Sequence, residues 1–129
     1  SEDDLLRDLY PGGVTDLGSY VTLSGRIKQA LAGHICFLLR QGTSVILDFP
    51  GNPLRQRSWF RELIESSGAQ HQLHYLNVPD ETCRQQLTQR RACNGSDPLQ
   101  DDYTFDALLA FFVAPTTEEQ FTVVLHERT

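Results

Sequence analysis

The sequence predicts an α/β fold, a mostly parallel sheet flanked by helices, in a single domain spanning residues 1–129. Three observations predict it. Thr43-Ser44-Val45-Ile46-Leu47-Asp48-Phe49, opened by Gly42 and closed by Pro50-Gly51, is a short apolar run of the kind that suits a strand buried on both faces, as parallel sheets require. Leu73-His74-Tyr75-Leu76-Asn77-Val78 and Phe121-Thr122-Val123-Val124-Leu125 read as two more strands. Segments of helical period separate the three, and such alternation favours parallel pairing through crossover helices.

Each element has a local reason. Ser1-Glu2-Asp3-Asp4-Leu5-Leu6-Arg7 opens a helix, with Ser1 as cap and the acids favourable to its dipole, and Tyr10-Pro11-Gly12-Gly13 ends it. Leu23, Ile27, Leu31, Ile35 and Leu38 recur at helical spacing, so residues 20–41 form a long amphipathic helix stopped by Gly42, with His34 packed on or near its apolar side. Asn52-Pro53 starts the next helix, with Asn as cap and Pro in the first turn; it runs to Gly68. Trp59, Phe60, Leu63 and Ile64 are its apolar face, and Arg55, Arg57 and Arg61 form a solvated face opposite. Pro79-Asp80-Glu81-Thr82 starts a helix with Cys83 and Leu87 inward. It ends at Arg90-Arg91, before the loop Asn94-Gly95-Ser96-Asp97-Pro98. Phe105, Leu108, Leu109 and Phe112 mark a last helix, ended near Pro115.

Composition sets further bounds. A net charge of −6 argues against general nucleic-acid coating. No apolar run approaches the roughly 20 residues of a membrane span, and no signal peptide opens the chain. Cys36, Cys83 and Cys93 are an odd count without a CxxC pair, so a structural metal site is not expected and the expected compartment is reducing, hence cytoplasmic. Asp48 closes an apolar strand, where ligands bind in open α/β sheets; the alternative is an Asp that only caps the turn that follows.

Five pieces in order carry a resemblance: Ser1-Glu2-Asp3; Val45-Ile46-Leu47-Asp48-Phe49 with Asn52 and Arg57; His74-Tyr75-Leu76-Asn77-Val78-Pro79-Asp80; Cys83 through Arg91; and Phe105, Pro115 and Phe121. Together they resemble the C-terminal two-thirds of a P-loop kinase-like ATPase of the zeta-toxin and polynucleotide-kinase type, an AAA-type ATP-binding group. Members of that group begin with a strand and a G-x-x-x-x-G-K-[ST] loop whose N–H groups cradle phosphates. The 129 residues contain no such motif, and Gly12-Gly13 lacks the Lys and follows no strand. The resemblance therefore implies a truncated P-loop NTPase-like sheet of the 2-3-1-4-5 type, without its P-loop strand.

The resemblance also implies roles. Asp3 matches the base toward an acceptor hydroxyl, a task that needs a carboxylate within hydrogen-bond reach. Its other reading is decoration of a helix start. Asp48 matches the acid that holds magnesium or its water, since hard oxygen ligands suit that ion. Asn52 and Arg57 match the acceptor side. Arg90 matches the arginine that reaches nucleotide phosphates from the helix before the lid, a task for a planar bidentate fork. Arg91, where the group often has Asn, either shares that task or offsets the helix dipole; Gln86 stands where the group usually has another Arg. ATP and magnesium are the implied cofactors. The implied acceptor is a small molecule, a nucleotide or a nucleic-acid end.

Removing a central strand leaves two rows of unpaired backbone groups. Either the flanking strands close up and pair, or a second copy covers the edge, or the sequence is a fragment of a longer protein; self-association is the expectation. Two functions follow: an ATP-dependent phosphotransferase, inactive as these residues alone, or a non-catalytic α/β binding and oligomerising module descended from one. A different small α/β enzyme lacks any nucleophile–base pair to support it.

Overall fold

The computed structural model describes residues 1–95 and 99–128. Of the loop expected at Asn94–Pro98, Ser96, Asp97 and Pro98 lie outside the described residues. Helices α1 (Glu2–Leu9), α2 (Leu17–Arg40) and α3 (Leu54–Ser67) come first. Strand β1 (Leu73–Asn77), helices α4 (Asp80–Asn94) and α5 (Asp102–Phe111), a single 3₁₀ turn (Thr117–Glu119) and strand β2 (Val123–Glu127) follow.

Helix α2 is the spine. Asp16 and Ser19 cap its start reciprocally, each side chain taking the other's backbone N–H. At about 1.5 Å per residue its 24 residues reach about 36 Å. Near its start Tyr20 and Ile27 pack with Leu6 of α1, against Leu23, Leu31, Phe49 and Leu99. Further along, Ile35 and Cys36 pack with Leu63 of α3, against Val45, Leu47 and Trp59. Leu31 touches both clusters, so one helix stripe joins α1 to α3. His34 is exposed, contrary to the packed position expected. The buried stripe runs through Ile27, Leu31 and Ile35, and a residue one step from Ile35 is turned about 100° off it.

Strands β1 and β2 pair in parallel, Leu73 opposite Val123 through Asn77 opposite Glu127. The parallel sense agrees with the sequence, although β2 lies two residues later than its apolar run. Among the described residues the sheet has these two strands alone, so neither the wider sheet nor the 2-3-1-4-5 order is seen. Residues 43–50 form no strand. Their side chains alternate: Val45, Leu47 and Phe49 are half-buried against the helices, while Ile46 is 95% exposed. The apolar run is thus covered on one face only, and a ladder needs a partner that its own composition cannot supply. It does not close up onto β1.

Other boundaries shifted for local reasons. Asn52 is not the cap of α3: the helix begins after Pro53 with no side-chain cap, and the Asn52 N–H donates to Gln56 Oε1 at 2.9 Å. Helix α4 runs past Arg91 to Asn94 and buries no residue fully. Helix α5 ends at Phe111, and the Phe112 ring stacks on Tyr75 of β1, centroids 6.0 Å apart. No described helix is long and apolar enough to cross a membrane.

Candidate functional site

The start of α1 is fastened to the end of the extended segment. The Glu2 N–H donates to the Asp48 carbonyl at 3.0 Å. A helix N-terminus has donors without internal partners, and here one of them is met by that carbonyl. Ser1 caps the same turn, its Oγ accepting from the Asp4 N–H at 3.2 Å. Asp3, the next residue, and the Asp48 side chain are both exposed at this junction.

Glu2 holds the junction from inside. It is fully buried, and its carboxylate accepts from Tyr20 Oη at 2.7 Å and Ser24 Oγ at 2.8 Å. Burial pushes the Tyr20 phenol well above its ordinary value, and the Glu2 carboxylate adds to the rise. Lys28 continues the same stripe of α2, at positions 20, 24 and 28. Its Nζ lies 5.6 Å from the centre of the Trp59 ring. Its pKa is lowered, first by burial and to a lesser degree by Arg55, against an upward pull from Glu2.

Arg57 is not solvated and does not face an acceptor. It is 1% exposed. Its Nε and Nη2 donate to the two oxygens of Glu119 at 2.7 and 2.9 Å, a bidentate fork. Its Nη1 lies 2.8, 2.8 and 2.7 Å from the carbonyls of Gly51, Asn52 and Val113. The Glu119 carboxyl is held below its ordinary value chiefly by that hydrogen bond to Arg57. Every donor of the guanidinium faces protein, so Arg57 is a hub that pins the loop after Asp48 rather than a ligand for substrate. Asn52 sits half-buried in that pinned loop, its carbonyl taken by Arg57 Nη1 and by the Val113 N–H at 3.0 Å.

Arg90 stands elsewhere. It lines an open cleft of about 390 Å³ with Gln86, Gln89, Cys93, Asn94 and Arg128. The Arg128 N–H bonds the Asn77 carbonyl at 3.2 Å, so the cleft lies at the C-terminal end of the two parallel strands. That is the end where open α/β sheets take ligands. Arg91 turns away from it and pairs with Asp102 at 3.0 Å. The structure thus brings Asp3 and Asp48 to one junction, puts Arg90 in a separate cleft, and uses Arg57 and Arg91 for internal pairs. Among the described residues no cluster of three or more His, Cys, Asp or Glu forms a ready metal cage. Asp48 as an exposed single carboxylate fits a magnesium ion, which keeps most of its waters and takes one or two protein carboxylates.

Sequence reasoning missed Glu2, Tyr20, Ser24, Lys28, Glu119 and Arg128. A signal existed for three of them: Tyr20, Ser24 and Lys28 repeat every four residues beside the apolar stripe. For Glu119 there was none.

A parallel strand pair flanked by helices is an α/β arrangement, with the Asp3–Asp48 junction and the Arg90 cleft as two separate candidate places on it. The chain belongs to the AAA domain family, whose family model matches residues 1–115. At that level it is P-loop NTPase-like, of a nucleotide-binding family. Neither the search of curated proteins nor that of solved structures returned a match.

Proposed function

We propose that these residues are the acceptor-and-lid portion of an ATP-dependent phosphotransferase of the zeta-toxin and polynucleotide-kinase kind. One observation carries the reading: the 3.0 Å bond from the Glu2 N–H to the Asp48 carbonyl sets the start of α1 against the end of the Asp48 segment. Asp3 takes the proton of the attacking hydroxyl. Asp48 holds magnesium through a carboxylate oxygen or a bound water. Magnesium, when bound with ATP, draws charge from the transferred phosphoryl group. Arg90 and Arg128 neutralise nucleotide phosphates at the strand ends. These residues contain no phosphate cradle, so by themselves they transfer no phosphoryl group.

The test is transfer of labelled phosphoryl from ATP to hydroxyl acceptors. It is run on these residues alone and on any longer form of the protein that carries a G-x-x-x-x-G-K-[ST] loop. In the longer form Asp3→Asn lowers the rate about 10²–10⁴-fold, the usual worth of a general base. An Asp3→Asn enzyme as fast as its parent refutes the assignment.

A second reading is favoured by the exposed Ile46 on a segment that joins no sheet. In it the module associates with a second copy and has no catalytic role. It predicts concentration-dependent association with no magnesium-dependent nucleotide binding.

A further inference from the structure

Strands β1 and β2 bring two of the four histidines together. His74 stands opposite Val124 and His126 opposite Leu76, so the two occupy diagonal positions on one face of the strand pair. Their facing nitrogens, His74 Nδ1 and His126 Nε2, lie 2.9 Å apart. The ring centroids are 5.2 Å apart, with 21° between the planes. Rings so nearly parallel, with nitrogens much closer than centroids, meet edge to edge rather than face to face. Both residues are exposed, and neither ring has another hydrogen-bond partner among the described residues.

Two neutral imidazoles that face each other share one proton, one ring donating and the other accepting. The phosphotransfer reading gives this pair no task. Its spacing is that of two ligands on one ion. Zinc–nitrogen bonds of about 2.0–2.1 Å put two nitrogens about 2.9 Å apart at a right angle and about 3.3 Å apart at the tetrahedral angle. Turning the two exposed side chains slightly aims both lone pairs at one point. The donating ring moves its proton to its outer nitrogen, so both rings stay neutral as they ligate. Imidazole suits zinc and copper(II), and at an exposed site water completes the coordination, so no cage of three protein ligands is needed. The strand pair also has use for such a link. Among the described elements it makes its main contacts within itself. Two paired strands of five residues each are marginal by themselves, and parallel pairing is the weaker kind.

We propose that His74 and His126 bind a divalent transition-metal ion of the imidazole-preferring class as a clip across β1 and β2. The site is independent of the phosphotransfer reading. Zinc chloride is titrated into the protein by calorimetry, and copper(II) is added in parallel and followed by electron paramagnetic resonance. One ion per chain is expected, with copper signals split by two coordinated nitrogens. His74→Gln and His126→Gln each weaken binding at least about 10–100-fold, no less than losing an outer-shell partner costs at other metal sites. Both positions are exposed, so far-ultraviolet circular dichroism is unchanged in the variants. His34→Gln and Cys93→Ser, which alter other exposed metal-binding side chains, leave binding as it was. Zinc raises the Tm of the parent and of neither His-to-Gln variant at β1 or β2, because an ion that binds only the folded pair stabilises it. No saturable binding overturns the site, as does affinity undiminished in both of those variants. Binding lost in Cys93→Ser instead assigns the ion elsewhere and overturns it too. Binding without a rise in Tm overturns the clip.

Discussion

Arg57 shows how much one side chain can organise. From sequence it is indistinguishable from Arg55, two positions before it, and Arg61, four positions after it, on the same helix. Its partner Glu119 is 62 residues away, so no local pattern could reveal the pair, and a charged face was the natural expectation. The fork ties α3 to the 3₁₀ turn, while Nη1 gathers carbonyls from the loop after Asp48 and from Val113. Removing one partner leaves the other charge buried alone. Arg57→Met is therefore expected to cost about 3–5 kcal/mol in urea unfolding, and Arg57→Lys most of that, since an ammonium cannot span a carboxylate and three carbonyls at once. A loss below about 1 kcal/mol for Arg57→Met would show that the pair is solvated. The same bond fixes a pH dependence. Glu119 has its pKa lowered in the fold below the ordinary 4.5. Its contribution is thus complete above that value and is lost as pH falls through the lowered one. Parent and Glu119→Gln protein should differ most in stability near neutrality and converge in acid. A gap that widens on acidification contradicts the sign.

Among elements, the helices were legible and the pairing was not. Ser1, the run of α2 up to Gly42, and Gly68 after α3 all announce themselves through caps and spacing, because those signals sit within a few residues of what they control. Gly42 and Gly68 take left-handed backbone, φ +82° and +69°, as helix stops require. The apolar segment 43–49 was equally visible, yet a strand is a relation between two segments, and its partner cannot be read from its own residues. The junction at Asp48 was legible in part: Asp3 and Asp48 stood out, whereas the buried Glu2 that secures them looked like one more acid in a first turn. That clamp is testable. Tyr20→Phe removes one of two donors from a fully buried carboxylate and is expected to destabilise by about 1–3 kcal/mol. Asp16→Ala, at the exposed cap of α2, should cost about 1 kcal/mol. Thermal or urea unfolding ranks the two, and a Tyr20→Phe protein as stable as its parent would mean that water replaces the phenol.

At the scale of the whole molecule, α2 gathers α1, α3 and the Asp48 segment into one apolar body, while the two-stranded sheet carries apolar side chains that the described residues leave more than half exposed. Leu76 is 68% exposed and Leu125 52%. They lie on opposite faces of the sheet, since Leu76 pairs with His126 and Leu125 with Tyr75. Ile46 is more exposed still, on a segment that joins no ladder. Strand edges and apolar surfaces of this kind invite association. The net charge of −6 opposes it only weakly at physiological salt, where exposed charges are screened beyond about 8 Å. Sedimentation velocity over a hundredfold range of concentration should therefore show a rising weight-average coefficient. Ile46→Lys should suppress that rise. It should also leave unfolding within about 0.5 kcal/mol of the parent, because a side chain already in water loses no packing when it becomes charged. A parent that stays monomeric throughout would remove the oligomerising reading. A variant that associates as before would show that the contact lies on the sheet faces around Leu76 and Leu125 instead.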